Sequence, residues 1–203
     1  MKENILWLLE QASSVALEEG MKWYPDANKW AAFKASQYEL DLEVVAAIMS
    51  ALSPRNEWTR NLHDTDNLLM CYERGDHDPA FVNAATFKNN VMRAWIVRDK
   101  QDPTIVMTSP KTCSFVGNIT YPHGPDVTVD TWAYRIAEGN LKLKARSLPK
   151  SRYEKYAEAY REAAQETGLR PCEVQAITWV EARQRVKTDK SMKKAGMAQL
   201  RLF

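Results

Sequence analysis

Apolar residues recur at helical spacing along nearly the whole chain, and that periodicity most restricts what it can fold into. Ile5, Leu8, Leu9, Ala12, Val15 and Ala16 form one such stripe. Tyr153, Tyr156, Ala157, Tyr160, Ala163 and Ala164 form another, whereas the alternation expected of a half-buried strand is almost nowhere seen. An all-α fold follows. Gly20 is expected to end the first helix, with a second entered through Trp23-Tyr-Pro25. Further helices are expected over Leu42–Leu52, Glu57–Tyr72 and Asn83–Val97. Gly168 closes the Tyr153 stripe and Pro171 starts the last large helix. Core positions are expected at Ile48, Leu52, Leu69, Phe115, Ile119, Ile136, Ile177 and Val180.

The stretch from Ser109 to Ile136 contains two well-marked helix starts. Ser109 suits an N-cap and Pro110 the first helical position, which puts Lys111 in the first turn of a helix reaching about Tyr121. A lysine there opposes the macrodipole by a few tenths of a kcal/mol, so its placement asks for a nearby anion or a function. After Pro122-His-Gly-Pro125, Val127-Thr-Val129 reads as a short extended lead-in, and Asp130 occupies the N-cap position before Thr131–Ala137.

A first-turn lysine followed about twenty residues later by Val-Asp-Thr and a helix resembles the catalytic segment of the helix-hairpin-helix DNA glycosylase superfamily. Val44–Pro54 is similar to that superfamily's helix and loop that enter DNA, and Glu173–Arg183 to its late core helix, so the resemblance spans about residues 40 to 186. It implies a helix-hairpin-helix glycosylase-like fold of about eight to ten helices in two packed lobes with a cleft between them. Residues 1–186 would form that single domain and residues 187–203 a basic tail. Lys111 falls on the lysine nucleophile and Asp130 on the catalytic aspartate. The chain departs from the pattern in two places. Met107-Thr-Ser109 stands where the hairpin has Gly-hydrophobic-Gly, and the four-cysteine iron–sulfur loop of some members is absent.

Each candidate has a plainer alternative. Lys111, if buried near aromatic side chains, would have its pKa lowered from about 10.4 and become a nucleophile or base; exposed, it would hold a phosphate or nothing. Asp130 is a cap, a catalyst, or both, since a carboxylate at a helix N-terminus is kept ionised. Ser53, Arg55, Asn56, Trp58 and Asn61 form either a helix–helix turn or the loop that fills the gap left by an extruded base, with Asn61 lining the pocket. Trp58, Trp132, Tyr134, Gln175 and Trp179 are candidates for a stacking pocket or simply for the core. Ser109 is a further DNA-contact candidate through the resemblance.

Net charge is only +2, yet it is unevenly spread. Residues 142–203 hold 15 Lys and Arg against 7 Asp and Glu, while residues 1–141 hold 13 against 19. Lys142, Lys144 and Arg146 lead the basic third, which suits either a grip on a polyanion or a solvated tail that orders on DNA. The three cysteines, Cys71, Cys113 and Cys172, lack metal-ligand spacing, and the histidines stand apart, so no metal or cofactor is expected. No apolar run approaches the roughly 18 residues of a membrane span and no signal peptide is evident, so a cytoplasmic protein is expected; the resemblance implies a bacterial or phage-infected cell, and a monomer is expected.

Three functions remain open from the sequence. A bifunctional glycosylase would use Lys111 against the sugar C1′. A thymine-hypermodification transferase, as in the phage-type branch with degraded hairpins, would join an amine or amino acid to activated 5-hydroxymethyluracil in double-stranded DNA. The third is a non-catalytic DNA-binding phage protein. Chain size and the altered hairpin resemble the second.

Overall fold

Nine α-helices account for most of the residues described in the computed structural model, and no strand occurs among them. Those residues are 1–76, 78–144 and 147–194, with the backbone alone for 192–194. In chain order the helices are α1 (Lys2–Glu10), α2 (Ser14–Gln37), α3 (Leu42–Leu52), α4 (Trp58–Glu73), α5 (Lys88–Lys100), α6 (Pro110–Thr120), α7 (Thr131–Ala137), α8 (Lys150–Thr167) and α9 (Pro171–Lys194). The expected all-α class is therefore the observed one.

The chain divides into two compact units. The first comprises Met1–Asp26 with residues from Pro122 onward, and the second Ala27–Tyr121.

In the second unit α3 is the centre. Every residue from Val44 to Leu52 is buried, as a helix that is apolar all round requires. It packs against α4, α5 and α6. Of the expected core positions here, Ile48, Leu52, Leu69 and Ile119 are fully buried. Phe115 departs from expectation: its ring is only half-buried.

In the first unit α9 packs on α1, α7 and α8. Ile5, Leu8, Ile136, Tyr156, Tyr160 and Ile177 are fully buried in one core. Gly168, at φ 71°, ends α8 in the left-handed conformation that glycine adopts without a Cβ penalty.

Two helix boundaries correct the sequence reading. The break expected at Gly20 lies instead at Gln11–Ser13, where the Ser13 hydroxyl accepts from the Ala16 amide at 3.2 Å and the Ser13 amide donates to Glu181 at 3.0 Å. Gly20 continues α2 because α9 crosses there: a Cβ at Gly20 would stand 2.5 Å from the Ile177 Cα. Pro25 also lies inside α2, where it removes one helical hydrogen bond and its ring crowds the preceding turn. The second correction concerns α5, which starts at Lys88 and not near Asn83. The amide of Ala85 donates to Asp64 and the hydroxyl of Thr86 to the Pro54 carbonyl, so this segment is held as a loop.

Candidate functional site

The start of α6 is built from local capping. Ser109 accepts from the Thr112 amide at 3.3 Å, the Thr112 hydroxyl accepts from the Ser109 amide at 3.1 Å, and Pro110 takes the first turn. This is the reciprocal capping box that sets a helix N-terminus. The approach is tied from outside: Arg93 donates to the Ile105 carbonyl at 2.6 Å and to the Thr108 hydroxyl at 3.3 Å. Among the described non-glycine residues positive φ occurs at Glu39, Arg55 and Gln101, so Met107-Thr108-Ser109 makes no backbone demand that needs glycine. Lys111 is exposed. The burial expected of an amine nucleophile is not supplied by its own packing.

The start of α7, in the first unit, is more elaborately held. Val127 and Val129 are buried, and the Tyr153 hydroxyl accepts from the Val129 amide at 3.0 Å while donating to the Val127 carbonyl at 2.8 Å. That fixes the extended lead-in to Asp130. One Asp130 oxygen accepts from the Ala133 amide at 2.8 Å, capping α7, and the other accepts from the Trp179 indole N–H at 3.2 Å. The cap amide and the indole N–H both hydrogen-bond the carboxylate and fix its orientation. Beneath it the buried Tyr160 hydroxyl donates to the Ala133 carbonyl at 3.2 Å, and burial pushes that phenol well above its ordinary range, keeping it a neutral donor.

Aromatic and basic groups pack on the indole that holds this carboxylate. Trp23 meets Trp179 with ring centroids 4.8 Å apart at 55°, and the Arg183 guanidinium lies 4.3 Å from the centre of the Trp179 ring. Trp23, Trp179, Asp130, Trp132 and Arg183 are all partly exposed. The site thus combines a carboxylate acceptor, two partly exposed indole rings and a guanidinium stacked on one of them. Trp132 carries Arg135 over its ring at 5.3 Å, and Arg135 is held by the Leu143 carbonyl at 2.7 Å.

In the second unit the loop candidates group around Asp64. Its carboxylate is fully buried and accepts from Asn56 at 2.9 Å, the Ala85 amide at 2.7 Å and Arg60 at 2.6 Å. Burial alone would raise its pKa, but these three donors together hold it below the ordinary value. Two loops are thereby clamped together. At their tip Arg55, at φ 58°, lays its guanidinium 5.0 Å from the centre of the Phe87 ring, which is 50% exposed. Ser53 donates to the Ser50 carbonyl, and Trp58 is half-buried at the start of α4.

Two candidates stand in the interior instead. Asn61 is buried and donates to the Met49 carbonyl at 3.1 Å, and Gln175 is buried and accepts from the Tyr24 hydroxyl at 2.9 Å. Tyr134 is likewise core, edge-on to Tyr156. Lys142 and Lys144 are exposed on the loop after α7, whereas Arg146 and residues 195–203 lie outside the described residues. Trp23, Arg183, Phe87 and Asp64 were not singled out from the sequence. Only Arg183 had a local signal, four residues beyond Trp179 on one helix face.

The described residues contain no cluster of His, Cys, Asp and Glu able to hold a metal ion and no helix long and apolar enough to cross a membrane. The model of one family, described only as a family of unknown function, matches residues 1–186. No curated protein and no solved structure matches the chain.

Proposed function

The chain belongs to that family, DUF7178, and we propose that it is an enzyme acting on a pyrimidine base in DNA, joining an amine or amino acid to activated 5-hydroxymethyluracil. The observation that carries this reading is Asp130, a carboxylate held at once by the α7 N-terminus and the Trp179 indole, with partly exposed aromatic and cationic side chains packed on that indole. Its environment supports a base that stays ionised, and the indoles offer a stacking face for a base swung out of the duplex. The resemblance of residues 40–186 to the helix-hairpin-helix glycosylases supplies the expectation of DNA as substrate.

In this reaction the amine nitrogen attacks the exocyclic methylene carbon of a pyrophosphorylated 5-hydroxymethyluracil. The C–O bond to pyrophosphate breaks as the C–N bond forms, pyrophosphate carries away the electron pair, and the amine's proton passes to Asp130. Lys111 is assigned a charge role toward DNA phosphate. Its exposure favours this role over attack on the sugar, because a lysine nucleophile needs desolvation to be a free amine near neutral pH.

The test is to incubate the protein with DNA carrying pyrophosphorylated 5-hydroxymethyluracil and a panel of amines and amino acids, then to analyse the digested nucleosides by mass spectrometry. A new nucleoside formed by the wild type and lost in both Lys111→Gln and Asp130→Asn is expected. A Lys111-dependent, borohydride-trapped adduct on lesion-bearing duplex would instead establish a glycosylase, and DNA binding without either product a non-catalytic protein.

A further inference from the structure

Three buried tyrosines, Tyr153, Tyr156 and Tyr160, stand on α8 at positions i, i+3 and i+7, which a helix sets on one face. A phenol hydroxyl buried without a partner costs free energy, and a core position that makes no use of it is filled as well by phenylalanine. Here all three hydroxyls end on one segment, the one that carries Asp130. Tyr153 accepts from the Val129 amide at 3.0 Å and donates to the Val127 carbonyl at 2.8 Å. Tyr160 donates to the Ala133 carbonyl at 3.2 Å, and Tyr156 donates to the Glu138 carboxylate.

Two of these contacts flank Asp130 and one does not. Residues 127–129 are buried extended backbone with no strand beside them among the described residues, so their polar groups need partners from elsewhere, and the Tyr153 hydroxyl serves an amide and a carbonyl at once. Val129 immediately precedes Asp130. Ala133 is the residue whose amide Asp130 caps, at 2.8 Å, and its carbonyl is the one that Tyr160 holds. Glu138 lies at the far end of α7.

We propose that Tyr153 and Tyr160 are positioning residues for Asp130, fixing the backbone on either side of it and thereby the direction from which its carboxylate meets the Trp179 indole. An aspartate has a single methylene between backbone and carboxylate, so a small rotation of the 129–130 peptide carries both oxygens with it, and misplacement of a reacting group by about 1 Å can cost on the order of 100-fold in rate. Tyr156, as deeply buried, anchors α7 at its other end and does not set Asp130. The consequence for turnover rests on the base-modifying role proposed for Asp130; the coupling of the two hydroxyls to the carboxylate does not.

The experiment follows the Trp179 indole N–H resonance in proton–nitrogen correlation spectra of the isotope-labelled full-length chain, assigned with Trp179→Phe. That proton is donated to Asp130, so its shift reports where the carboxylate lies. In Tyr153→Phe and in Tyr160→Phe it is expected to move upfield, toward its position in Asp130→Ala, while Tyr156→Phe leaves it at the wild-type position. In the nucleoside assay kcat should fall roughly tenfold in the first two variants with KM within about twofold, and stay at the wild-type value in the third. If one of the first two does not fold, the other carries the test from its own side of Asp130. A resonance unmoved in a folded Tyr153→Phe or Tyr160→Phe overturns the proposal. So does an equal movement in Tyr156→Phe, since the hydroxyls would then serve the core as a whole. Failure of the base-modifying reading shows separately, as no new nucleoside from the wild type, and leaves the indole readout intact.

Discussion

The indole N–H of Trp179 donates to the Asp130 carboxylate at 3.2 Å, joining the middle of α9 to the first residue of the α7 cap. The donors from Ala133 and Trp179 have different consequences. The Ala133 amide belongs to helix capping, whereas the indole only orients and stabilises the charge. Trp179→Phe keeps a ring for Trp23 and Arg183 and removes the donor. Turnover is expected to fall about tenfold, the equivalent of one hydrogen bond to a charged group, with the thermal midpoint nearly unchanged. Equal loss of both activity and stability would make the indole a structural element only.

Asp64 governs the loop pair that presents Arg55 and Phe87. Its folded pKa lies below the ordinary 3.8. A lowered carboxylate pKa contributes stability that is complete above the unfolded value and is lost as pH falls through the folded one. Urea unfolding should show Asp64→Asn destabilised by about 2–4 kcal/mol near neutrality, with a smaller difference from wild type below about pH 4. A difference that does not narrow on acidification contradicts the assigned network.

Arg55 separates conformation from contact. At φ 58° glycine is less strained than arginine, so Arg55→Gly should hold or gain up to about 1 kcal/mol of stability. If the guanidinium stacked on Phe87 touches DNA, the same variant binds duplex more weakly in a fluorescence titration. Unchanged affinity would leave Arg55 a turn residue.

The exposed lysines on the loop after α7 are read as phosphate contacts. Measured across salt concentrations, Lys142→Ala and Lys144→Ala should each reduce the slope of log affinity by about 1 and act alike on all sequences. A slope identical to wild type places DNA on another face.

The sequence made the helix starts at Ser109-Pro110 and Asp130 legible because capping is a local signal, carried by residues within one turn. The same holds for the Gly168 stop and for α3, whose unbroken apolar run leaves little else to be. Gly20 misled because a glycine reads as a breaker, and only Ile177 on a distant helix makes it a point of close approach. The late start of α5 and the clamping by Asp64 were invisible for a related reason: Ala85 and Asn56 become its donors only once two loops are folded together. Asn61 and Gln175 looked like site residues by type. Their amides serve Met49 and Tyr24, partners that no spacing rule identifies.

The most direct test of the central claim is the rate of new-nucleoside formation by Asp130→Asn, measured alongside its thermal unfolding. Asparagine is as good an N-cap as aspartate, so the folded chain should be retained to within about 1 kcal/mol. Loss of the carboxylate charge should slow conversion by about 100-fold or more, corresponding to roughly 2–4 kcal/mol of transition-state stabilisation. Conversion at the wild-type rate by a stably folded Asp130→Asn would contradict the catalytic role and leave Asp130 a helix cap.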